Sequence, residues 1–288
     1  QIPSFAFENN HKTQVRGVAL DGSVSVLTDT VVGYRAGAVA DDLDSRSTSA
    51  TGALVFGHYE DRVQTYAGVD AARTVSLGGN RELVFTAGTN FDDSNRAPAE
   101  WSPLAIVEYR HATATLRRVY LSYDETTQLP TYQALNANSG AGLFRGDPDL
   151  PRATAQNLEL GAEVALAPVW TASAAVFARR DNDLLDYVYD PTLPPTTARR
   201  AVSGDVDTLG FETVVRRTSD PFDLIFGYTF LNKNEDYLAP GQASFYAFNF
   251  AEHRLTAAAV ARLGGGFELR MDNEYRIQEE NSLRRRND

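Results

Sequence analysis

The sequence predicts an all-β fold, a transmembrane antiparallel β-barrel with roughly 13 strands within these 288 residues. First, apolar and polar residues alternate with a period of two over segments of about ten residues, which is the period of a strand. Second, short turns alternate with long polar connections. Third, no apolar run is long enough for a membrane helix, whereas a membrane barrel has the low mean hydropathy observed, −0.32.

The most regular predicted strand begins at Phe267. Its apolar residues alternate with charged or amide residues, which predicts one face toward lipid and one toward water. The preceding segment, 255–263, repeats this pattern, and a Gly-Gly-Gly turn at 264–266 joins the two. Segments starting near Leu83, Leu158 and Phe222 alternate in the same way. Two regions are ambiguous: 170–179 does not fix the direction of Phe177, and 50–75 can be divided in more than one way.

The connections differ systematically in length. Short turns are predicted at 78–80, near 110–112, and at 167–169, 219–221 and 264–266. Long segments lie between them, at about 92–102, 125–154, 181–203 and 233–252. Short turns on one side and long loops on the other are typical of outer-membrane barrels, whose turns are periplasmic and whose loops are extracellular.

Aromatic residues near the predicted strand ends favour a membrane setting. Such rings form girdles at the two membrane interfaces. The alternative is a water-soluble β-sandwich, in which the same rings would form the core between two sheets. The residues concerned are Phe91, Tyr123, Trp170, Phe222 and Phe267.

Composition and motifs argue against several other classes. A net charge of −11 disfavours nucleic acid as a partner, because phosphate binding requires an excess of Lys and Arg. The absence of cysteine removes thiol nucleophiles and thiolate metal sites and suits an extracytoplasmic compartment. Neither a nucleophile elbow nor a phosphate loop is present. The four histidines lack metal-ligand spacing, so we predict no catalytic residue, no metal site and no cofactor; they are His11, His58, His111 and His253.

Several motifs together resemble the barrel of TonB-dependent outer-membrane receptors. A strand over 118–130 is followed by Gly-Asp-Pro-Asp-Leu at 146–150 and by Asn-Leu-Glu-Leu-Gly at 157–161. Further similar runs are Gly-Phe-Glu at 210–212, Gly-Tyr-Thr-Phe-Leu at 227–231 and Arg-Met-Asp-Asn-Glu-Tyr-Arg at 270–276. One departure is Asp147, where the family pattern usually has Asn. Each motif is weak by itself, and the specificity lies in the set.

The resemblance implies a barrel of about 22 strands around an N-terminal plug domain. We therefore expect residues 1–288 to be part of a single barrel domain, with the plug, the segment that contacts TonB and the closing strands outside it. The implied function is TonB-coupled uptake of a scarce ligand, a small molecule, chelate or oligosaccharide, at the cell outer membrane. Implied partners are outer-membrane lipid and the TonB complex. The alternatives are a passive porin-like or adhesin-like barrel and a secreted β-sandwich binding module.

One long connection carries candidate ligand-binding residues. The segment 233–250 is rich in aromatic residues, more than exposure to solvent alone would favour. Rigid aromatic rings often anchor ligands, so Tyr237, Phe245 and Tyr246 are predicted to contribute to an extracellular binding surface. The alternative is that these rings belong to the girdle at the top of the next strand.

Overall fold

The computed structural model describes residues 8–48, 61–137, 143–194, 197–245 and 250–280. Almost all of them belong to one sheet, in which every long strand pairs antiparallel with its neighbours in sequence. No helix among these residues is long and apolar enough to cross a membrane. In chain order the elements are β1 (Glu8–Leu27), β2 (Thr30–Thr48), β3 (Asp61–Gly78), β4 (Arg81–Ser94), β5 (Glu100–His111), β6 (Leu116–Gln128), α1 (Tyr132–Asn136), β7 (Phe144–Arg145), β8 (Ala153–Ala167), β9 (Trp170–Tyr189), β10 (Arg199–Ser219), β11 (Phe222–Glu235), β12 (Ala243–Ser244), β13 (Ala251–Gly264) and β14 (Phe267–Gln278).

The predicted short turns are confirmed, and all of them lie at the same end of the sheet. In the turns from β3 to β4 and from β13 to β14, Gly78, Gly79 and Gly264–Gly266 adopt positive φ angles that favour glycine. A further turn, at residues 28–29, joins β1 to β2. Since successive strands are antiparallel, the long connections all emerge at the opposite end, called the loop end below.

The long connections are shorter than predicted, because the strands continue beyond the segments in which apolar and polar residues alternate. The strands β9 and β10 contain 20 and 21 residues, although about ten suffice to cross a bilayer. The connection predicted at 92–102 shrinks to 95–99, and the one predicted at 181–203 shrinks to 190–198. Beyond the bilayer both faces meet water, so the pattern disappears although hydrogen bonding between the strands continues.

One face of the sheet is apolar and open. Residues directly opposite each other on paired strands share a face, so the register identifies complete rows. One row joins Leu121, Leu160, Val176, Phe211 and Phe230 on five neighbouring strands. Leu160 in this row is 51% exposed, as expected for a side chain that would contact acyl chains.

The opposite face carries the charged residues, as the alternation predicted. Ion pairs link neighbouring strands across this face, for example Arg254 to Glu274 at 2.6 Å and Arg118 to Glu108 at 2.9 Å. Phe177, whose direction the sequence left open, also lies on this face and covers Gly210, where a Cβ atom would collide with the ring. The charged residues that the register places together on the polar face include Glu159, Glu163, Glu212, Arg254, Arg262, Glu268, Arg270, Asp272, Glu274 and Arg276.

The main buried apolar cluster of the described residues lies at the loop end and not between sheet layers. A single sheet with an open apolar face has no second layer against which it could form a core. The buried members of the cluster come from α1, from the segment before β8, and from the ends of β9 and β10; they are Ala134, Leu135, Leu150, Tyr187 and Ala201.

Candidate functional site

Three long connections meet at the loop end. We name residues 129–152 the strap, residues 184–203 the hairpin tip and residues 236–250 the aromatic loop, and the three together the cap. The strap contains α1 and β7, the hairpin tip contains the outer ends of β9 and β10, and the aromatic loop contains β12.

The neighbouring connections add short strands to both edges of the hairpin tip. In the aromatic loop, Ala243 and Ser244 pair antiparallel with Tyr189 and Val188 on β9. In the strap, β7 pairs parallel with the first two residues of β10. Backbone hydrogen bonds therefore join all three segments of the cap into one structure.

Side chains of the strap pack on one surface of the hairpin tip. Ala134 is completely buried and Leu135 nearly so, against Tyr187 and Ala201. The rings of Phe144 and Tyr187 meet edge to face with centroids 4.9 Å apart. The guanidinium of Arg199 lies over three aromatic rings, at 4.8 Å from Phe245, 5.6 Å from Tyr189 and 5.7 Å from Phe144. Such cation–π contacts stabilise a cationic side chain among apolar neighbours.

A buried carboxylate fixes the aromatic loop to the hairpin tip. Asp186 is fully buried, and its Oδ2 accepts hydrogen bonds from the Tyr237 hydroxyl at 2.7 Å and the Ser244 hydroxyl at 2.5 Å. Its Oδ1 accepts one from the Tyr187 backbone N–H at 2.7 Å. Burial and the hydrogen bond to Asp186 raise the pKa of Tyr237, so this phenol remains a donor at all physiological pH values.

The strap also contacts β2 and β3, which lie on the other side of the polar face from the hairpin tip. The Tyr132 hydroxyl donates to Asp41 Oδ1 at 2.8 Å, and Arg62 pairs with Asp41 Oδ2 at 2.7 Å. Arg62 in addition donates to the Pro130 carbonyl at 3.3 Å and lies over the Tyr132 ring. Because Asp41 and Arg62 lie on the polar face, the strap extends over this face at the loop end.

Two of the three ligand residues predicted from sequence, Tyr237 and Phe245, lie in the described part of the cap. Tyr237 uses its hydroxyl to hold Asp186, and Phe245 packs against the apolar cluster while its N–H donates to the Tyr187 carbonyl at 3.0 Å. Tyr246 lies outside the described residues. The role of these three residues in ligand binding therefore stays a prediction.

Sequence reasoning missed Asp186 and α1, although both carry a local signal. Thr131 precedes α1 and its side chain accepts a hydrogen bond from the Ala134 N–H, a typical N-cap. Asp186 stands in the run Leu-Leu-Asp-Tyr-Val-Tyr at 184–189, where an acid among apolar residues indicates a buried and hydrogen-bonded carboxylate.

The chemistry available at the loop end is that of recognition. Aromatic rings, guanidinium groups and hydroxyls lie above a charged, wet face. Among the described residues, no group of three or more His, Cys, Asp or Glu side chains is arranged to hold a metal ion. These groups can contact a ligand through π-faces and charge-assisted hydrogen bonds.

Comparison with known proteins agrees with this architecture. Residues 3–283 match the family described as TonB dependent receptor-like, beta-barrel. A search of curated protein sequences finds no match.

Three solved structures illustrate the similarity of fold. The FrpB iron transporter from Neisseria meningitidis superposes with a TM-score of 0.66 at 13% identity, over 93% of this chain and 43% of its own. The copper transporter OprC superposes with a TM-score of 0.64 at 11% identity, over 90% of this chain and 42% of its own. The pyoverdine outer membrane receptor FpvA from Pseudomonas aeruginosa, bound to pyoverdine, superposes with a TM-score of 0.59 at 11% identity, over 94% of this chain and 42% of its own. The chain thus spans less than half the length of these proteins.

Proposed function

This chain belongs to the TonB-dependent receptor-like β-barrel family, and from that membership we propose that it is the wall of an outer-membrane transporter for a scarce ligand. Energy for uptake would come from the TonB complex, which acts through a plug domain in this family. The proposed role is transport and not catalysis. Residues 1–288 would then form part of one barrel domain, with the apolar face in outer-membrane lipid.

The observation that carries this proposal is the cap over the polar face. A passive pore needs an open mouth, whereas here the strap lies over the polar face and contacts both β2 and the hairpin tip. Ordered loops over a wet interior suit selective capture better than free diffusion. This arrangement therefore favours the energised receptor over the porin-like or adhesin-like alternative.

A metal ion or metal chelate is the ligand class that we propose. The similar structures carry the descriptions iron transporter, copper transporter and pyoverdine receptor. The identities of 11–13% to these proteins support a common fold, and the ligand must be tested directly.

The test is uptake by cells that express the full-length protein. We expect accumulation of radioactive iron or copper, supplied as ferric hydroxamate, ferric catecholate, ferric citrate or copper ion, with at least one of these probes. Accumulation should fall to background in an otherwise identical strain without TonB. Equal uptake in both strains would indicate a passive pore, and no uptake of any probe would refute the proposed ligand class.

The aromatic loop should contribute to ligand affinity. Replacing Phe245 and Tyr246 together by alanine is expected to raise the half-saturating concentration of the transported probe by roughly tenfold or more, because aromatic anchors often contribute about 1–2 kcal/mol or more each. Tyr237→Phe and Tyr237→Ala would separate ring contact from the hydrogen bond to Asp186. A control is Phe222→Ala, at the opposite end of the sheet. Unchanged half-saturation in the double variant would remove these rings from the binding surface.

A further inference from the structure

A shallow groove crosses the apolar face of the sheet, next to the strand ends that lead into the cap. It is lined by side chains of β6 and β8–β11, which are neighbours in the sheet. The register places these side chains on the face that carries Leu160, and the ion pairs of the polar face lie on the other side. The groove is therefore open to the surroundings of the barrel and not to its interior.

The groove lies where this face changes from apolar to polar. Three successive rows of directly opposite residues, two positions apart along each strand, show the change. The first row is apolar throughout: Leu121, Leu160, Val176, Phe211 and Phe230. The second row, closer to the loop end, is mixed: Tyr123, Leu158, Ala178, Leu209 and Asn232. The third row is polar throughout: Glu125, Gln156, Arg180, Asp207 and Asn234. The second and third rows line the groove.

The height of the groove on the barrel corresponds to a membrane interface. Arg180 is ten residues beyond Trp170, the first residue of β9. At about 3.3 Å per residue and a strand tilt of about 40°, this segment rises roughly 25 Å along the barrel axis. The apolar band of a membrane barrel is also about 25 Å tall. The third row thus lies at the level of the lipid headgroups on the loop side, and the second row lies beside the upper part of the acyl chains.

The second row offers an apolar surface with a depression in it. Leu158 and Leu209 are 49% and 58% exposed, and the small side chain of Ala178 lies between them. An acyl chain that lies over Ala178 would contact both leucines.

The third row and Asn232 offer hydrogen-bonding groups that are still available. The side chains of Asp207, Asn232 and Asn234 have no hydrogen-bond partner among the described residues. Arg180 donates from Nε to Asn182 at 3.1 Å and from Nη2 to Asp205 at 3.4 Å. Amides donate and accept, carboxylates accept, and the guanidinium has further donors, so the row can bind a group that both donates and accepts.

The charge of the third row favours hydroxyl groups over a phosphate. The row contains two carboxylates and one guanidinium, and this guanidinium already contacts the carboxylate of Asp205. The net charge is therefore negative and repels an anionic group. Sugar hydroxyls are neutral and can donate to the carboxylates while they accept from the amides and from Arg180. A glycolipid carries such hydroxyls at headgroup level and acyl chains directly below them.

We propose that this groove binds the sugar headgroup of lipopolysaccharide, the glycolipid of the outer leaflet. Sugar hydroxyls bond to Arg180, Asp207 and Asn234, and an acyl chain runs over Ala178. The phosphate groups of the lipid point away from the acidic row. The inference rests on the outer-membrane location in the proposed function, but not on transport or on the transported ligand.

Native mass spectrometry of the full-length receptor can test this site. The purified protein, in a polyoxyethylene detergent that has no sugar headgroup, would be titrated with lipopolysaccharide of short core. The variant Arg180→Ala/Asn234→Ala removes two hydrogen-bonding groups and keeps the leucines. We expect the dissociation constant of the first bound lipopolysaccharide to rise roughly tenfold, as for the loss of two hydrogen bonds of ordinary strength.

The matched control removes an arginine and an amide from the same face outside the groove. In Arg16→Ala/Gln14→Ala, both residues are exposed and lie on the apolar side of β1. Arg16 is eleven residues from Leu27 at the turn end, so its height resembles that of Arg180. We expect this control to bind lipopolysaccharide as the unmodified receptor does, and both double variants to unfold at the same urea concentration.

A second variant fills the groove and leaves every hydrogen-bonding group in place. Ala178→Trp puts a large ring between Leu158 and Leu209, at a height where tryptophan is common in membrane proteins. We expect it to weaken lipopolysaccharide binding at least tenfold as well, because the acyl chain and the sugar are displaced together.

Each outcome decides one part of the inference. Unchanged affinity in both groove variants, or an equal loss in the control, would overturn the site. Phosphatidylglycerol that binds as tightly as lipopolysaccharide, with the same sensitivity to the variants, would overturn the assignment to a sugar. Lipopolysaccharide binding without uptake of any probe would contradict the proposed transport and leave this site intact, so the two failures can be told apart.

Discussion

Replacing Leu160 by arginine is expected to lower the free energy of unfolding by about 2–3 kcal/mol, the usual penalty for a cation on the lipid face near the middle of a membrane barrel. Leu160 lies within the alternating stretch 158–166 of β8, on the apolar face, with Leu121 and Val176 opposite it on the neighbouring strands. Its side chain is half exposed in the bare sheet, so the loss arises from contact with lipid and not from a cavity.

The measurement is urea unfolding of the full-length protein in lipid vesicles, with and without the substitution. Ser122→Arg is the matched control, since Ser122 lies on the polar face opposite Glu159. This control should change stability little, because a wet channel hydrates the new charge. If both variants unfold at the same urea concentration, the apolar face does not contact lipid and the membrane assignment fails.

Replacing Asp186 by alanine is expected to loosen the cap without unfolding the barrel. Three donors converge on this carboxylate, and two of them, the hydroxyls of Tyr237 and Ser244, would lose their described acceptor. Leaving buried donors unsatisfied typically costs about 1–3 kcal/mol for each group, offset in part because the buried charge itself is removed. We expect a net local loss of about 2–3 kcal/mol, or roughly 30- to 150-fold faster opening.

Hydrogen exchange followed by mass spectrometry measures this opening. Peptides that contain Tyr187 and Phe245 should exchange faster in Asp186→Ala, because their backbone groups join the aromatic loop to the hairpin tip. The control is Asp190→Ala in the same connection, whose described carboxylate contacts are with the neighbouring Thr192. Equal exchange in both variants would mean that Asp186 does not hold the cap together.

The faces of a strand are predicted best where one face contacts lipid and the other contacts water. Between Phe267 and Ile277 apolar and polar residues alternate and lie on the predicted faces, except that the polar residue Asn273 lies on the apolar face, opposite Ala257. The assignment is reliable because moving the register by one residue would put charges into lipid. Segment 170–179 was ambiguous because its alanines and its serine differ little in polarity. Only the register with β10 determines the face on which Phe177 lies.

The candidate site was less predictable. Tyr237 and Phe245 were selected for exposure to ligand, yet both also hold the cap together, through Asp186 and the apolar cluster. Composition reveals that a loop contains aromatic residues, but it does not reveal which residues of other loops they meet. The partner of Tyr237 lies 51 positions away, and that of Tyr132 lies 91 positions away.

The sequence by itself determined the strands, their two faces and the end at which the short turns lie, because period-two alternation and turn-forming glycines are local properties set by lipid on one side and water on the other. Only the tertiary structure decided how far β9 and β10 extend, where α1 lies and which side chains meet Asp41 and Asp186. Those features depend on contacts between segments distant in sequence, in a region where water surrounds both faces and no periodic pattern records the fold.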